Sequence, residues 1–387
     1  MAITLVRLCE DVKQKYNMQL IAGRKGMENI VRWVHMVEDS EVPDFLHGEE
    51  LIFTTGIGHI GNSAKMLEFV KNLYNHGASG ITFNIGPYIH SIPKEVIDFC
   101  DQKKFPLFTL PWEIHIIDIT YDFCNRIIEN EKSEMSIVQA FKNLIFNPER
   151  QDDYLSALEK NGFLATSDYR VITICFFKDG KSVTSAFYNK NHIFLWKLLA
   201  HSSHASAVIE QDSKLLIIRQ NCSDMQVKRM VGSIKKAFDT SDINYYIGVS
   251  ETGYGFESVP SLYRQSNAAY ITSRCENKSV MFYKDLGLNG LILAVNNKQL
   301  LEKFSQRTLE PILSFDDKNN TDYTELLRLY LENECSVMAV AEKTGVHRNT
   351  INNRLKQIRE LLGDSLSEKK KAELMLAFQI KDLIKFI

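Results

Sequence analysis

A chain of 387 residues that is 44% hydrophobic and 24% charged is a globular protein of two or three domains, not a disordered or fibrous one. Its net charge of −2 at pH 7 excludes a wholly basic nucleic-acid coat protein, yet permits a confined basic patch. No apolar run reaches membrane-spanning length, and the first nine residues lack a basic region followed by an apolar core, so the expectation is a cytoplasmic protein with no membrane partner.

Strand and helix signals alternate from about residue 51 to residue 111. Leu51-Ile-Phe-Thr-Thr55 reads as a strand. Ser63 to His76 reads as a helix through Met66, Leu67, Val70, Leu73 and Tyr74, and Gly80–Ile85 as a second strand. Pro93 opens another helix at the first helical position, and Phe105–Leu110 is a third strand. This βαβαβ order predicts a parallel sheet with right-handed crossovers. Ligands of such sheets bind beyond the carboxyl ends of the strands. Those ends carry Thr54, Thr55 and Gly56 on one strand, and Asn84 and Gly86 on the next. Hydroxyls, an amide and exposed backbone there suit a small polar effector. Equally, the same groups serve as caps of strand ends.

Gly56-Ile-Gly-His-Ile-Gly61 matches the GxGxxG pattern of dinucleotide-binding folds. Such a fold wants an acidic residue near the end of the second strand to hold the ribose, and Asn84 stands there instead. A nucleotide-binding enzyme built on this unit is therefore the alternative function, and no Ser-His-Asp, Cys-His or paired-carboxylate constellation accompanies it. The seven cysteines form no CxxC, and the histidines of this region form no HxH or HExxH, so no metal and no cofactor is expected.

Glu113 to about Glu134 reads as an acidic helix that links this region to the next. From Tyr169 a new pattern begins. Val171–Phe177 is a strand, His192–Ala200 a helix, and Ala205–Glu210 with Leu215–Arg219 a hairpin around Gln211-Asp-Ser-Lys214. Met225–Phe238 is a helix, Tyr245–Ser250 a strand and Val259–Cys275 a helix with an Ala268-Ala269 pair.

Two helices joined by a tight turn occupy Ser336–Gly363. Ala341 permits close helix approach, and Gly345 permits the left-handed backbone that ends the first helix. Ile351, Leu355, Ile358 and Leu362 form one stripe of the second helix, with Val340 and Val346 beside it. Asn349, Asn353 and Lys356 stand opposite. This is the layout of a helix-turn-helix reader of the DNA major groove. Asn pairs bidentately with adenine, and Arg with guanine. His347, Arg348, Asn349, Asn352 and Asn353 are the base-edge candidates, with Thr350 placed for a thymine methyl or a phosphate. Lys343, Lys356 and Arg359 suit phosphate. Arg354, at the edge of the stripe, either joins them or pairs with a nearby carboxylate. The protein-binding alternative is an adaptor whose hairpin meets another protein.

Val340-Ala341, Gly345-Val-His-Arg-Asn-Thr-Ile351, Arg354-Leu355, Ile358-Arg359 and Leu361-Leu-Gly363 resemble the Fis-type helix-turn-helix of the PucR/CdaR family of bacterial transcriptional regulators. Asn352-Asn353 departs from the bulkier or more basic residues common there. Ala22-Gly23, Val31–Val34, Glu41-Val-Pro-Asp44, Leu51–Gly56, Ile92-Pro93 and Phe105–Pro111 resemble the family's N-terminal domain. Ile247-Gly-Val-Ser250 and Ser266-Asn-Ala-Ala269 resemble its degenerate GGDEF-like domain. The chain contains no Gly-Gly pair, which nucleotide cyclisation needs, so that domain is expected to relay and dimerise. The resemblance implies an effector-sensing domain at 1–125, a helical linker at 126–165, the GGDEF-like α+β domain at 166–290 and an all-α DNA-binding domain at 291–387. Expected partners are double-stranded operator DNA, a small-molecule effector tied to purine catabolism or a related pathway, and further copies of the chain in a dimer or tetramer.

Overall fold

Every residue of the strand Glu50–Thr54 is buried, as a parallel strand covered on both faces must be. It belongs to a five-stranded sheet in the computed structural model, which describes residues 3–38, 46–178, 180–183, 205–238, 243–295 and 297–386. The helix expected at His192–Ala200 and the Glu41–Asp44 motif lie outside the described residues.

The strands of this sheet are β1 (Gln19–Ala22), β2 (Trp33–Met36), β3 (Glu50–Thr54), β4 (Gly80–Ile85) and β5 (Leu107–Pro111), in the spatial order β1-β5-β4-β3-β2. The pairs β3/β4 and β4/β5 are parallel, as the βαβαβ reading requires; β2, which that reading did not include, adds a parallel strand beside β3, and β1 closes the other edge antiparallel to β5. The crossovers are α1 (Ser63–Asn75) and α2 (Lys94–Lys103). Pro93 caps α2 one position ahead of where the sequence reading put it. Period-two alternation sorts the core. Ile52, Ile81 and Leu107 face α1 and α2 through Phe69, Val70, Leu73 and Val96. Leu51, Phe53, Phe108 and Leu110 face Ile119, Phe123 and Ile127 of α3 (Ile116–Phe146).

The chain divides into two compact units, the first reaching Lys142 and including Asp152–Asn161, the second taking Asn143–Gln151 and the described residues from Gly162 onward. In the second unit β6 (Asp168–Lys178) is the central strand. With β7 (Ser206–Gln211), β8 (Lys214–Gln220), β9 (Asn244–Val249) and β10 (Val280–Phe282) it makes the order β7-β8-β6-β9-β10. Two short segments, Lys181–Ser182 and Gly253–Tyr254, also pair with β6. The hairpin β7/β8 turns through Asp212 and Ser213, both at positive φ, the geometry that a two-residue turn demands. Phe176 on one face of β6 meets Phe238 of α4 (Asp224–Phe238), and Thr173 on the other hydrogen-bonds Ser266 of α5 (Val259–Cys275) at 2.8 Å. Gly248 of β9 lets α5 settle on the sheet: a Cβ there would lie 2.0 Å from the Ser266 carbonyl oxygen.

Six helices follow: α6 (Leu288–Leu293), α7 (Lys298–Asn319), α8 (Tyr323–Glu332), α9 (Val337–Thr344), α10 (Arg348–Leu362) and α11 (Glu368–Ile384). Leu309, Ile312, Leu326, Leu327, Val340, Ile351, Leu355, Ile358 and Leu374 make their common core. A second core crosses the boundary expected at residue 290. Cys175, Phe177, Tyr270 and Ile271 pack with Leu301 of α7 and with Ile380 and Leu383 of α11. Polar contacts reinforce it: Gln379 donates to Asn289 at 2.7 Å, and Arg328 pairs with Asp382 at 2.6 Å.

Candidate nucleic-acid interface and strand-end site

The two helices of the C-terminal hairpin are each capped by their own sequence. The Ser336 hydroxyl accepts from the Ala339 N–H, and His347 Nδ1 accepts from the Asn349 N–H at 3.3 Å. Gly345 ends α9 at φ 67° and Gly363 ends α10 at φ 62°, the left-handed caps that glycine adopts without steric cost. The turn between the helices is therefore set locally. Burial of Val340 against Ile351, Leu355 and Ile358 sets how the helices lie on each other.

With that stripe inward, the other face of α10 is free. His347, Arg348, Asn349, Thr350, Asn352, Asn353 and Lys356 are all exposed. The structure brings these seven together on the N-terminal two turns of one helix. Arg359 is half-buried, and its Nε is buried without a hydrogen-bond partner. Lys343 of α9 is exposed. Arg354 pairs with Asp322 at 3.2 Å, the structural of its two readings. Gln357 accepts from the Tyr323 hydroxyl and so ties α10 to α8. The lysine run at 369–371 is partly spent within its own helix, through Lys371–Glu368 at 2.6 Å and Lys370–Glu373 at 3.7 Å. Among the described residues no cluster of His, Cys, Asp and Glu is placed to hold a metal ion.

The strand-end residues are brought together differently. Glu38, which the sequence reading passed over, fills the end of β3. Its carboxylate accepts from the Thr54 hydroxyl at 2.9 Å, the Thr55 N–H at 2.7 Å and the Gly56 N–H at 3.2 Å. The Asn84 amide donates to the carbonyls of Leu110 and Pro111 at 3.3 and 3.0 Å. Gly86 donates to the Ile89 carbonyl, and a Cβ on it would strike the Trp112 side chain, its Cβ at 2.6 Å and its ring at 2.7 Å. All five candidate residues thus engage neighbours in their own unit. The glycine-rich turn has a packing reason as well. A Cβ on Gly58 would lie 2.5 Å from the Glu38 carbonyl oxygen, and His59 is buried against the Phe69 ring at 4.5 Å. The backbone amides that a phosphate would need at Thr55 and Gly56 already hold a carboxylate.

Residues 9–127 match the purine catabolism regulatory protein-like family, and residues 323–380 match the PucR C-terminal helix-turn-helix domain. A purine catabolism regulatory protein of Bacillus subtilis (strain 168) is 31% identical over 119 residues, which is 31% of this chain and 22% of that protein. The proline-responsive transcriptional activator PutR of the same organism is 31% identical over 101 residues, 26% of this chain and 24% of that protein. The transcriptional activator PmfR of Paenarthrobacter nicotinovorans is 24% identical over 94 residues, 24% of this chain and 20% of that protein. The chain thus spans a quarter or less of the length of the curated relatives it matches. A crystal structure of a regulator of polyketide synthase expression from Bifidobacterium adolescentis matches over 64% of this chain and 97% of its own, at 15% identity and a TM-score of 0.33. Over residues 9–127 and 323–380, the chain is similar to the PucR family.

Proposed function

We propose that this protein is a sequence-specific DNA-binding transcriptional regulator and not an enzyme. The observation that carries the reading is the division of α10 into two faces. Ile351, Leu355 and Ile358 are fully buried, while Arg348, Asn349, Asn352, Asn353 and Lys356 project from the opposite side. Arg348, Asn349, Asn352 and Asn353 would read base edges, and His347, Thr350, Lys343, Lys356 and Arg359 would add groove and phosphate contacts. The matched relatives, named as regulators and activators, support the same reading.

The N-terminal unit is the proposed sensor. At the strand ends an effector would have to replace Glu38 on the amides of Thr55 and Gly56. The geometry therefore favours a small carboxylate or another small anion, with Thr54, Asn84 and Gly86 at its rim. The middle sheet of the second unit is proposed as a GGDEF-like relay. Its hairpin Gln211-Asp-Ser-Lys214 lacks the glycines and acidic pair that would hold a nucleotide and Mg²⁺. The core that Tyr270 and Ile271 share with Ile380 and Leu383 would carry its movements to the helix-turn-helix helices.

The test is binding of the purified chain to DNA from its own upstream region, at two salt concentrations. Tight binding that weakens with salt and is lost in Asn349→Ala/Asn353→Ala is the expected result. Salt-insensitive binding, or none with the protein folded, would favour the adaptor reading.

A further inference from the structure

In the second unit α5, α6 and α7 surround a cavity of about 410 Å³ that is open to solvent. That volume lies in the range of small-molecule sites and far exceeds the water-sized voids of a packed interior. Ala268 of α5 and Gly290 of α6 line it with the two smallest side chains, where longer ones would fill it. The floor is apolar: Ile271 of α5 and Leu301 of α7 are buried, and Leu293 of α6 lies beside them. The charged lining has one sign. Arg264 and Lys298 line the cavity, and no Asp or Glu does. Both cations are exposed, and neither makes an ion pair or a side-chain hydrogen bond among the described residues. Elsewhere in this unit Arg170, Arg328 and Arg354 each hold a carboxylate. Two amides add donors. Gln265 Oε1 accepts from the Glu251 N–H at 3.0 Å, and Asn267 Oδ1 accepts from Lys214 Nζ at 2.8 Å, which leaves the NH₂ groups of both to donate.

We infer that this cavity binds a small organic anion, its apolar body on the floor and its charged head held by Arg264 and Lys298. The lining selects the occupant. A cation would meet two like charges and no counter-charge. An inorganic anion would leave the floor wet, and a neutral apolar molecule would leave both cations and both amides unused. The planar guanidinium of Arg264 suits a carboxylate or sulfonate head, which accepts two parallel hydrogen bonds. The site belongs to the second unit, whereas the strand-end site belongs to the first. Ile271 and Leu301 also belong to the core shared with Ile380 and Leu383, so an occupant packs against side chains that join α5 to α7 and α11.

The probe is anilinonaphthalene sulfonate, an apolar dye with one anionic group. N-phenylnaphthylamine, the same skeleton without the sulfonate, is its neutral counterpart. Each is titrated into the folded full-length chain and followed by fluorescence. The wild type is expected to bind the sulfonate saturably and more tightly than the neutral compound. Arg264→Gln/Lys298→Gln is expected to weaken the sulfonate by about tenfold or more and to leave the neutral compound unchanged. Ala294→Trp, which brings an indole to the cavity from an exposed position, is expected to block both with melting unchanged. Val295→Trp, at a second exposed lining position, serves if Ala294→Trp disturbs folding. No saturable binding by the wild type, binding that survives the tryptophan, or equal loss of both compounds in the glutamine variant would overturn the assignment. The readout involves no DNA, so its failure leaves the regulator reading standing, and failure of DNA binding leaves this site standing.

Discussion

The carboxylate of Glu38 accepts the backbone N–H of Thr55 at 2.7 Å and so closes the end of β3 with a charge from the chain's own preceding segment. The same carboxylate serves the Thr54 hydroxyl and the Gly56 N–H. An acceptor with three donors is costly to remove, because the donors are left without a partner in a partly buried site. Glu38→Ala is expected to destabilise the first unit by about 1–3 kcal/mol, read as a shifted urea midpoint. A midpoint within experimental error of wild type would show that water replaces the carboxylate freely.

Gly248 sets a steric limit in the second unit. Added side-chain atoms there would meet backbone of α5 at Ser266 and Tyr270, at 2.0 and 2.2 Å. Backbone cannot rotate away as a side chain can. Gly248→Ala is expected to cost about 1–3 kcal/mol or more and to lower the melting temperature. Thr173, whose hydroxyl bonds Ser266, should shift with it. Unchanged melting would mean that α5 slides without penalty.

On α10 the two faces should respond differently. Arg348→Ala and Asn353→Ala are expected to lose about 1–3 kcal/mol of DNA affinity with no change in stability. Lys356→Ala should weaken binding to all sequences and lower the salt slope by about 1. Leu355→Ala, at a fully buried position, should instead cost about 2–5 kcal/mol of stability. Equal loss of folding in all four would remove the distinction between a reading face and a core face.

Glu134 gives a pH dependence of definite sign. Burial pushes its carboxyl up to about 7, and its Oε2 is buried without a hydrogen-bond partner. A raised carboxylate pKa means that the folded state holds the proton more tightly than the unfolded chain. The contribution is therefore full below the unfolded value of about 4.3 and is lost as pH rises toward 7. Glu134→Gln should flatten that decline and raise stability at pH 8 by about 1–3 kcal/mol. Parallel stability curves for wild type and variant between pH 5 and 8 would show that Glu134 is solvated.

The hairpin at Ser336–Gly363 was legible because its determinants are local. Capping by Ser336, the left-handed Gly345 and the stripe Ile351, Leu355 and Ile358 lie within thirty residues and act at short range. The βαβαβ core was legible for a related reason, since strands buried on both faces are continuous apolar runs. The edges of the same sheet were not. β1 and β2 are four residues each and partly exposed, with Trp33 and Met36 about half open to solvent, so neither carries a strong pattern.

What the sequence by itself determined is the parallel core strands of the first sheet, the two-helix hairpin at 336–363 and the side chains that α10 holds out. Tertiary structure alone decided which polar groups are spent. Glu38 reaches Thr55 across 17 positions, Asp322 takes Arg354 across 32, and Tyr323 takes Gln357 across 34. It also decided that Ile380 and Leu383 at the end of the chain share a core with Cys175 and Phe177 of the central strand. The reason is physical. A cap or a periodic stripe is written in neighbouring residues, whereas a pairing between distant ones depends on where packing brings each backbone.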